Sequence, residues 1–484
     1  MIPKRTLIET IFAPFRVSCA NFCRLLAVGL AVLCAVLMTA CGGGAVGSSG
    51  NGGGGGGDPT QPPPQPNVSL NQAVNHIVVM VQENRSFDQY FGKLPDYWAA
   101  NGYASEQFDG LPTTASNPGE NGAPPVTAYH LRTVCVQNQS PGWNESHVDR
   151  DMENPPGPDA PMDGFVHSAA KFAQAPPAGE PVPFYDQAGN RVMGYYDGSD
   201  LNYYYFMASN FATSDRWFSP VLSRTQLNRL YLLAATSAGH ANPPKTSLSN
   251  NTIFGLLETA GVSWKIYLTD PNTDFLGNFQ PFESQHQKNL APISQYFTDL
   301  KNGTLPSVAL IEPGYQSGTD EHPDYNVQTG AAQVAKNINA LMQSPSWKDS
   351  IFILTWDEGG GEYDHVAPAT AVDPDGIPPQ DLMAGDVCTK VTGPTCGFEN
   401  TGFRIPLLVI SPFAKKHYVS HTTADFTAIL KLIETRFGLS SLTNRDAAQM
   451  DMTEFFDFNN PPWMTPPTPP DQKTDGLCDF SAVP

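Results

Sequence analysis

The chain has 484 residues, of which 40% are hydrophobic, 45 are proline and 42 are glycine, so it is long enough for a large core and rich in loops. Its formal net charge of -20 repels phosphate backbones and bare anionic lipid, which excludes general nucleic-acid binding. Any phosphate substrate must then be captured locally, by a metal ion or by arginine.

In chain order, residues 1–40 read as a targeting segment. Lys4, Arg5, Arg16 and Arg24 form a basic region ahead of the apolar run Leu25 to Ala40, which is short for a membrane span. The sequence Met38-Thr39-Ala40-Cys41-Gly42 resembles a bacterial lipobox, in which the cysteine is lipidated. Met38 stands where leucine is usual. Residues 41–70 are Gly/Ser-rich and then Pro-rich, the composition of a tether spanning roughly 30 Å. The expectation is an exported protein of the cell envelope, held at a membrane through lipid on Cys41. The exported part keeps Cys135, Cys388, Cys396 and Cys478, and two disulfides, Cys388–Cys396 and Cys135–Cys478, are expected in an oxidising compartment.

Residues 71–455 show no second tether and no repeat, so one domain is expected, followed by a proline-rich tail over 456–484 draped on the surface. The apolar runs Ile77–Val81, Trp264–Leu268, Val308–Ile311, Ile351–Thr355 and Ile405–Ile410 read as buried strands. Helical periodicity appears over 330–342 and 424–437, and the residues from Lys93 to Ala178 read as a loop-rich excursion over one face. Alternating buried strands and helices predict an α/β fold, with a mainly parallel sheet covered on both faces. Such a sheet places its chemistry at the carboxyl ends of its strands.

Three polar clusters follow that rule or stand beside it. Glu83 and Asn84 follow the first strand; a turn there would let both oxygens meet one ion, while a helix cap through Ser86 and Asp88 is the structural alternative. Asp357 and Glu358 follow another strand, ahead of three glycines and Asp364-His365, and adjacent acids suggest a cation between them. Thr225 lies among Arg224, Asn228 and Arg229 before an apolar helical run, as either an N-cap or a hydroxyl placed for phosphate chemistry. His322 and His365 are flanked by carboxylates in short loops, which suits proton transfer to a leaving oxygen.

Together the blocks ENRSFD, TQLNR, EHP and DEGGGEYDHV, in this order, resemble the phosphoesterase family of bacterial non-haemolytic phospholipases C, plant non-specific phospholipases C and a group of bacterial acid phosphatases. The similarity extends from about residue 75 to 450 and includes GFRIPLLVISPF and ILKLIETRFGLSSLTNRDA. The resemblance implies an alkaline-phosphatase-like three-layer α/β/α sandwich. It makes Glu83, Asn84, Asp357 and Glu358 metal-site residues and Thr225 the nucleophile. His322 and His365 would bind phosphate or protonate the leaving group, with Arg229 in support and His147 matching a W-x-x-x-H element. The ligands are all oxygen, so Ca²⁺, Mg²⁺ or Mn²⁺ is favoured and zinc is also compatible. Leu227, Gly359, Pro141 and Phe426 depart from the family pattern, which bears on substrate choice and pH optimum. The region after Leu442 is short and proline-rich, which favours a smaller substrate. The expected function is an exported, metal-dependent phosphoesterase acting on phospholipid or a small phosphomonoester. The alternative is a non-catalytic surface lipoprotein that binds a metal or ligand on the same fold.

Overall fold

The computed structural model describes residues 69–483 apart from 104–107 and 181–182. The targeting segment, Cys41 and nearly all of the tether lie outside the described residues. Leu70, placed at the end of the tether by composition, is already buried and opens a short helix, Leu70–Ala73.

The main sheet has eight strands: β1 His76–Gln82, β2 Ala212–Ser214, β3 Trp264–Leu268, β4 Leu290–Pro292, β5 Val308–Glu312, β6 Ser350–Trp356, β7 Leu407–Ile410 and β8 Tyr418–Ser420. Their spatial order is β8-β2-β7-β6-β1-β5-β3-β4. Only β7 runs antiparallel to its neighbours, β6 and β2; the other pairings are parallel. β1 and β6 pair from His76–Ser350 to Gln82–Trp356, so they end level with each other. Level ends put Glu83 and Asp357 side by side.

Alternation along β1 assigns the two helical layers. Val79 packs with Leu232, Leu233, Ile253, Ile429 and Ile433, from the helices Thr225–Ala234, Ile253–Thr259 and Ala428–Phe437. Met80 points the other way, where its sulfur lies 3.6 Å from Asn337 Nδ2 on the helix Val327–Met342. The sheet is therefore sandwiched between helices, and β1, β5 and β6 are buried almost along their whole length. This is the α/β/α arrangement that the chain's pattern predicts.

Two predicted elements are shorter in the structure. The strand expected from Ile405 begins at Leu407, because Pro406 has no N–H to give to a ladder. The helix expected from Ala424 begins at Ala428, because Ala424 and Asp425 pair with Trp217 and Phe218 instead. The excursion after Lys93 builds its own small core, in which Met162, Phe165, Val166 and Val192 pack with Leu222, Tyr363 and Phe403. The tail crosses the surface and is held by Trp347 Nε1 donating to the Trp463 carbonyl at 2.9 Å. Both expected disulfides, Cys135–Cys478 and Cys388–Cys396, are present. Among the described residues no helix is long and apolar enough to cross a membrane.

Candidate active site

The chain turns sharply as β1 ends. Asn84 takes a φ of 61°, a left-handed conformation that asparagine tolerates better than most residues, and the turn brings its side chain into a cleft shared with Glu83. Asp357, just past β6, fixes the turn: its Oδ1 accepts from the Asn84 amide at 3.0 Å and from the Glu358 amide at 2.8 Å. Gly360 has a φ of 70°, and a Cβ there would lie 2.4 Å from the Asn84 carbonyl oxygen. The glycines after Glu358 thus let the second acidic loop close onto the first.

Thr225 is the first residue of its helix, whose cap position belongs to Arg224. The Thr225 hydroxyl makes no capping bond; it donates to Asn84 Oδ1 at 3.2 Å and opens on the cleft. At this point the unpaired amides and positive end of the helix macrodipole favour an anion beside the hydroxyl. Asn228 is structural: it accepts from the Val221 amide and donates to the Ser223 carbonyl, holding the loop that delivers Thr225.

One turn on, Arg229 is buried and bridges the acids. Its guanidinium is 3.3 Å from Asp357, 3.4 Å from Glu312 and 3.6 Å from Glu83, donates to the Val81 carbonyl at 2.8 Å and lies over the Phe275 ring. Five carboxylates crowd this end of the sheet: Glu83, Glu312, Asp320, Asp357 and Glu358, all buried. Burial pushes Asp357 up to about 6, Glu312 to about 7 and Asp320 to about 8, and raises Glu358 well above the usual carboxylate range. Burial also raises Glu83, against the pull of Arg229. One guanidinium does not balance this charge.

The donors fit a hard divalent cation. Glu358 Oε1 and Asp320 Oδ2 are buried without a hydrogen-bond partner among the described residues, and the carboxylates and Asn84 offer oxygen donors. Tighter groups occur elsewhere, at Asp88–Asp364–His365 and His130–Asp197–Asp200, where the ligand atoms all lie within 4.8 Å of one another. The first of these is already neutralised, since Arg404 reaches Asp88 at 3.0 Å and Asp364 at 2.9 Å. The carboxylates around the ends of β1 and β6 keep unpartnered oxygens on Glu358 and Asp320, and of this set Glu83 and Glu312 line a cleft together with Asn84 and Thr225.

That cleft has a volume of about 670 Å³ and is open to solvent. His322 lines it with Glu83, Asn84 and Thr225. Its Nδ1 lies 2.9 Å from the Pro323 carbonyl, which favours the tautomer with hydrogen on Nδ1, and burial lowers its pKa. The other two histidines are not brought to the cleft. His365 is bonded to Asp88 at 2.7 Å and Asp109 at 3.2 Å beside Arg404. His147 is buried between the Trp143 and Thr395 carbonyls. Sequence reasoning from loop position does not register that their rings turn into these networks. It also passes over Glu312 and Asp320. Glu312 ends β5, so the strand-end rule applied to that run points to it, and Asp320 lies two residues before His322. Arg85, within ENRSFD, serves the loop from behind: its Nε donates to the Glu321 carbonyl at 2.9 Å.

Comparison with known proteins finds relatives over most of the chain. Phospholipase C B of Mycobacterium tuberculosis is 32% identical over 425 residues, covering 80% of this chain and 78% of that protein. Non-specific phospholipase C4 of Arabidopsis thaliana is 31% identical over 412 residues, covering 77% and 70%. Likeness to solved structures is loose and adds no weight: a protein of the alkaline phosphatase superfamily from Vibrio parahaemolyticus aligns with a TM-score of 0.30 at 14% identity, over 74% of this chain and 78% of that one. The profile of the Phosphoesterase family matches residues 74–440, most of the described chain. The chain therefore belongs to the Phosphoesterase family, hydrolases of phosphoric ester bonds.

Proposed function

We propose that the protein is an exported, metal-dependent phosphodiesterase of phospholipase C type, with Thr225 as nucleophile. The observation that carries the reading is the Thr225 hydroxyl, at a helix N-terminus in the cleft, 3.2 Å from Asn84 Oδ1 in a turn that Asp357 holds. The relatives named phospholipase C, similar over about four-fifths of the chain, favour the diester over the monoester. The two disulfides suit an oxidising compartment and hence export, with a lipid on Cys41 as the anchor.

Glu83, Asn84, Asp357 and Glu358, with Asp320 beside them, would hold the divalent ion, which when bound lowers the pKa of a neighbouring hydroxyl and neutralises phosphate charge. In the first step Thr225 Oγ1 forms a bond to phosphorus while the bond to the leaving alcohol breaks, and the proton given up by the Thr225 hydroxyl leaves on the alcohol. In the second step water attacks phosphorus, the bond to Thr225 breaks as a proton from the water returns to Thr225 Oγ1, and the phosphate monoester is released. Arg229 does not face the substrate; it fixes Asp357 and Glu83 and so sets where Asn84 and Thr225 stand. His322, neutral at pH 7 because burial lowers its pKa, is suited to accept the proton of the attacking water at Nε2. The helix N-terminus faces the charge that develops on the transferring group.

The test compares wild type with Thr225→Ala on a chromogenic phosphocholine diester and the matching monoester, with and without chelator. Chelator-sensitive turnover of the diester, reduced at least 1000-fold in Thr225→Ala, is expected. Turnover that survives Thr225→Ala refutes the nucleophile, and preference for the monoester refutes the diester. A wild type inert toward both esters with added Mg²⁺, Mn²⁺, Ca²⁺ or Zn²⁺ refutes the reading and leaves a binding protein or a different ester class.

A further inference from the structure

Two arginines flank the nucleophile, and the structure gives them different work. Arg229 is buried, and its three nitrogens are already engaged by Asp357, Glu312, Glu83 and the Val81 carbonyl. Of its five N–H groups one on Nη1 is left over, but the side chain is not part of the cleft lining. Arg224, the residue immediately before Thr225, is only half-buried and lines the cleft. No carboxylate among the described residues lies within ion-pair distance of it, in a chain whose acids outnumber its Lys and Arg by 47 to 27.

The path of its side chain is also shaped. The guanidinium lies across Gly142, at the start of the helix Trp143–Arg150: a Cβ at that glycine would fall 2.8 Å from Arg224 Nη2 and 2.5 Å from Glu145 Oε2. Gly142 has a φ of -64° and a ψ of 170°, open to any residue, so the backbone does not require glycine there. The space does.

We infer that Arg224 is the substrate-binding arginine of the cleft, donating to the non-bridging oxygens of the phosphoryl group that Thr225 attacks, with Gly142 as the notch that admits it. This rests on the reading of Thr225 as the nucleophile. The planar fork of a guanidinium matches two phosphoryl oxygens at once. Its neighbour Thr225 and the helix N-terminus fix that group from a second side. Among the charged groups lining the cleft, Glu83, Glu180, Asp274 and Glu312 would repel a phosphate, which leaves Arg224 to counter them. Arg224 also acts electrostatically on Glu358, so a phosphate on the guanidinium sits next to the carboxylate set.

The experiment measures binding of inorganic phosphate by calorimetry, and its Ki as a competitive inhibitor, for wild type, Arg224→Ala, Arg224→Lys, Gly142→Ala and Thr225→Ala, all full-length. Arg224→Ala should weaken phosphate binding at least tenfold and lower kcat/KM by 10- to 100-fold on the diester. The loss should be larger on the dianionic monoester. Arg224→Lys should recover part of it, and Gly142→Ala should weaken phosphate binding while circular dichroism and thermal midpoint stay as in wild type. Phosphate binding within twofold of wild type in a folded Arg224→Ala overturns the inference, even if Thr225→Ala is inactive. Conversely, phosphate binding that depends on Arg224 with turnover unaffected by Thr225→Ala retains the arginine and rejects the nucleophile.

Discussion

Replacing Arg229 by methionine isolates the electrostatic logic of the site. Methionine keeps much of the side-chain volume against Phe275 but removes the charge that lies within 3.6 Å of Glu83, Glu312 and Asp357. Breaking a buried ion pair by deleting one partner costs about 3–5 kcal/mol, because the remaining charge is left uncompensated. The carboxylates can escape that cost by taking up protons. Asp357 and Glu312 titrate at about 6 and 7 in the fold, above their unfolded values, so their contribution to stability is full below about pH 4 and is lost as pH rises through 6 and 7. Without Arg229 both move further up, and the pH slope steepens. The expected loss is about 4 kcal/mol at pH 8 and about 2 kcal/mol at pH 5. For a domain of this size, with an m-value of about 4 kcal/mol/M, the urea midpoint falls by about 1 M at pH 8. The assay is urea unfolding at both pH values with chelator present, so that no added cation replaces the guanidinium. A loss below about 1 kcal/mol at pH 8, or an equal loss at both pH values, refutes the reasoning.

Other expectations concern separate parts of the molecule. Glu434 is buried facing Asp446 and is pushed up to about 8, so wild type loses stability as pH rises from about 4.5 to 8; Glu434→Gln, which keeps a donor toward Asp446, should be more stable at pH 8 by about 1–2 kcal/mol and no different at pH 4, read by thermal unfolding. Gly360→Ala places a methyl group against the Asn84 carbonyl at a φ of 70°, and should cost about 1–3 kcal/mol and most of the phosphoesterase activity, measured by urea unfolding and turnover. Replacing Cys135 and Cys478 by alanine opens a closure of 343 residues and should cost about 2–5 kcal/mol, with limited proteolysis cutting the tail; replacing Cys388 and Cys396, only 8 apart, should cost less and leave the tail resistant.

The strand-end rule explains why part of the site is legible before folding is considered. A parallel sheet brings the carboxyl ends of neighbouring strands together, so acids that follow separate apolar runs, Glu83 after β1 and Asp357 after β6, meet whatever the loops between them do. Glu312 obeys the same rule at the end of β5 but is a single acid with no neighbour to mark it, and Asp320 comes from a loop whose path no periodicity encodes. His365 shows the converse. Its chain position beside a carboxylate in an acidic loop looks catalytic, yet Asp88, Asp109 and Arg404 claim the ring, and those partners come from three distant parts of the chain.

The sequence by itself determined the class of fold, the positions of the principal strands, the family and the type of chemistry, because hydrophobic periodicity and short motifs are local properties. The antiparallel placement of β7, the role of Arg229 as a brace and the diversion of His147 and His365 into structural networks were decided only by the tertiary structure. Each depends on which groups from separate parts of the chain meet, and a buried charge takes the partners that packing supplies.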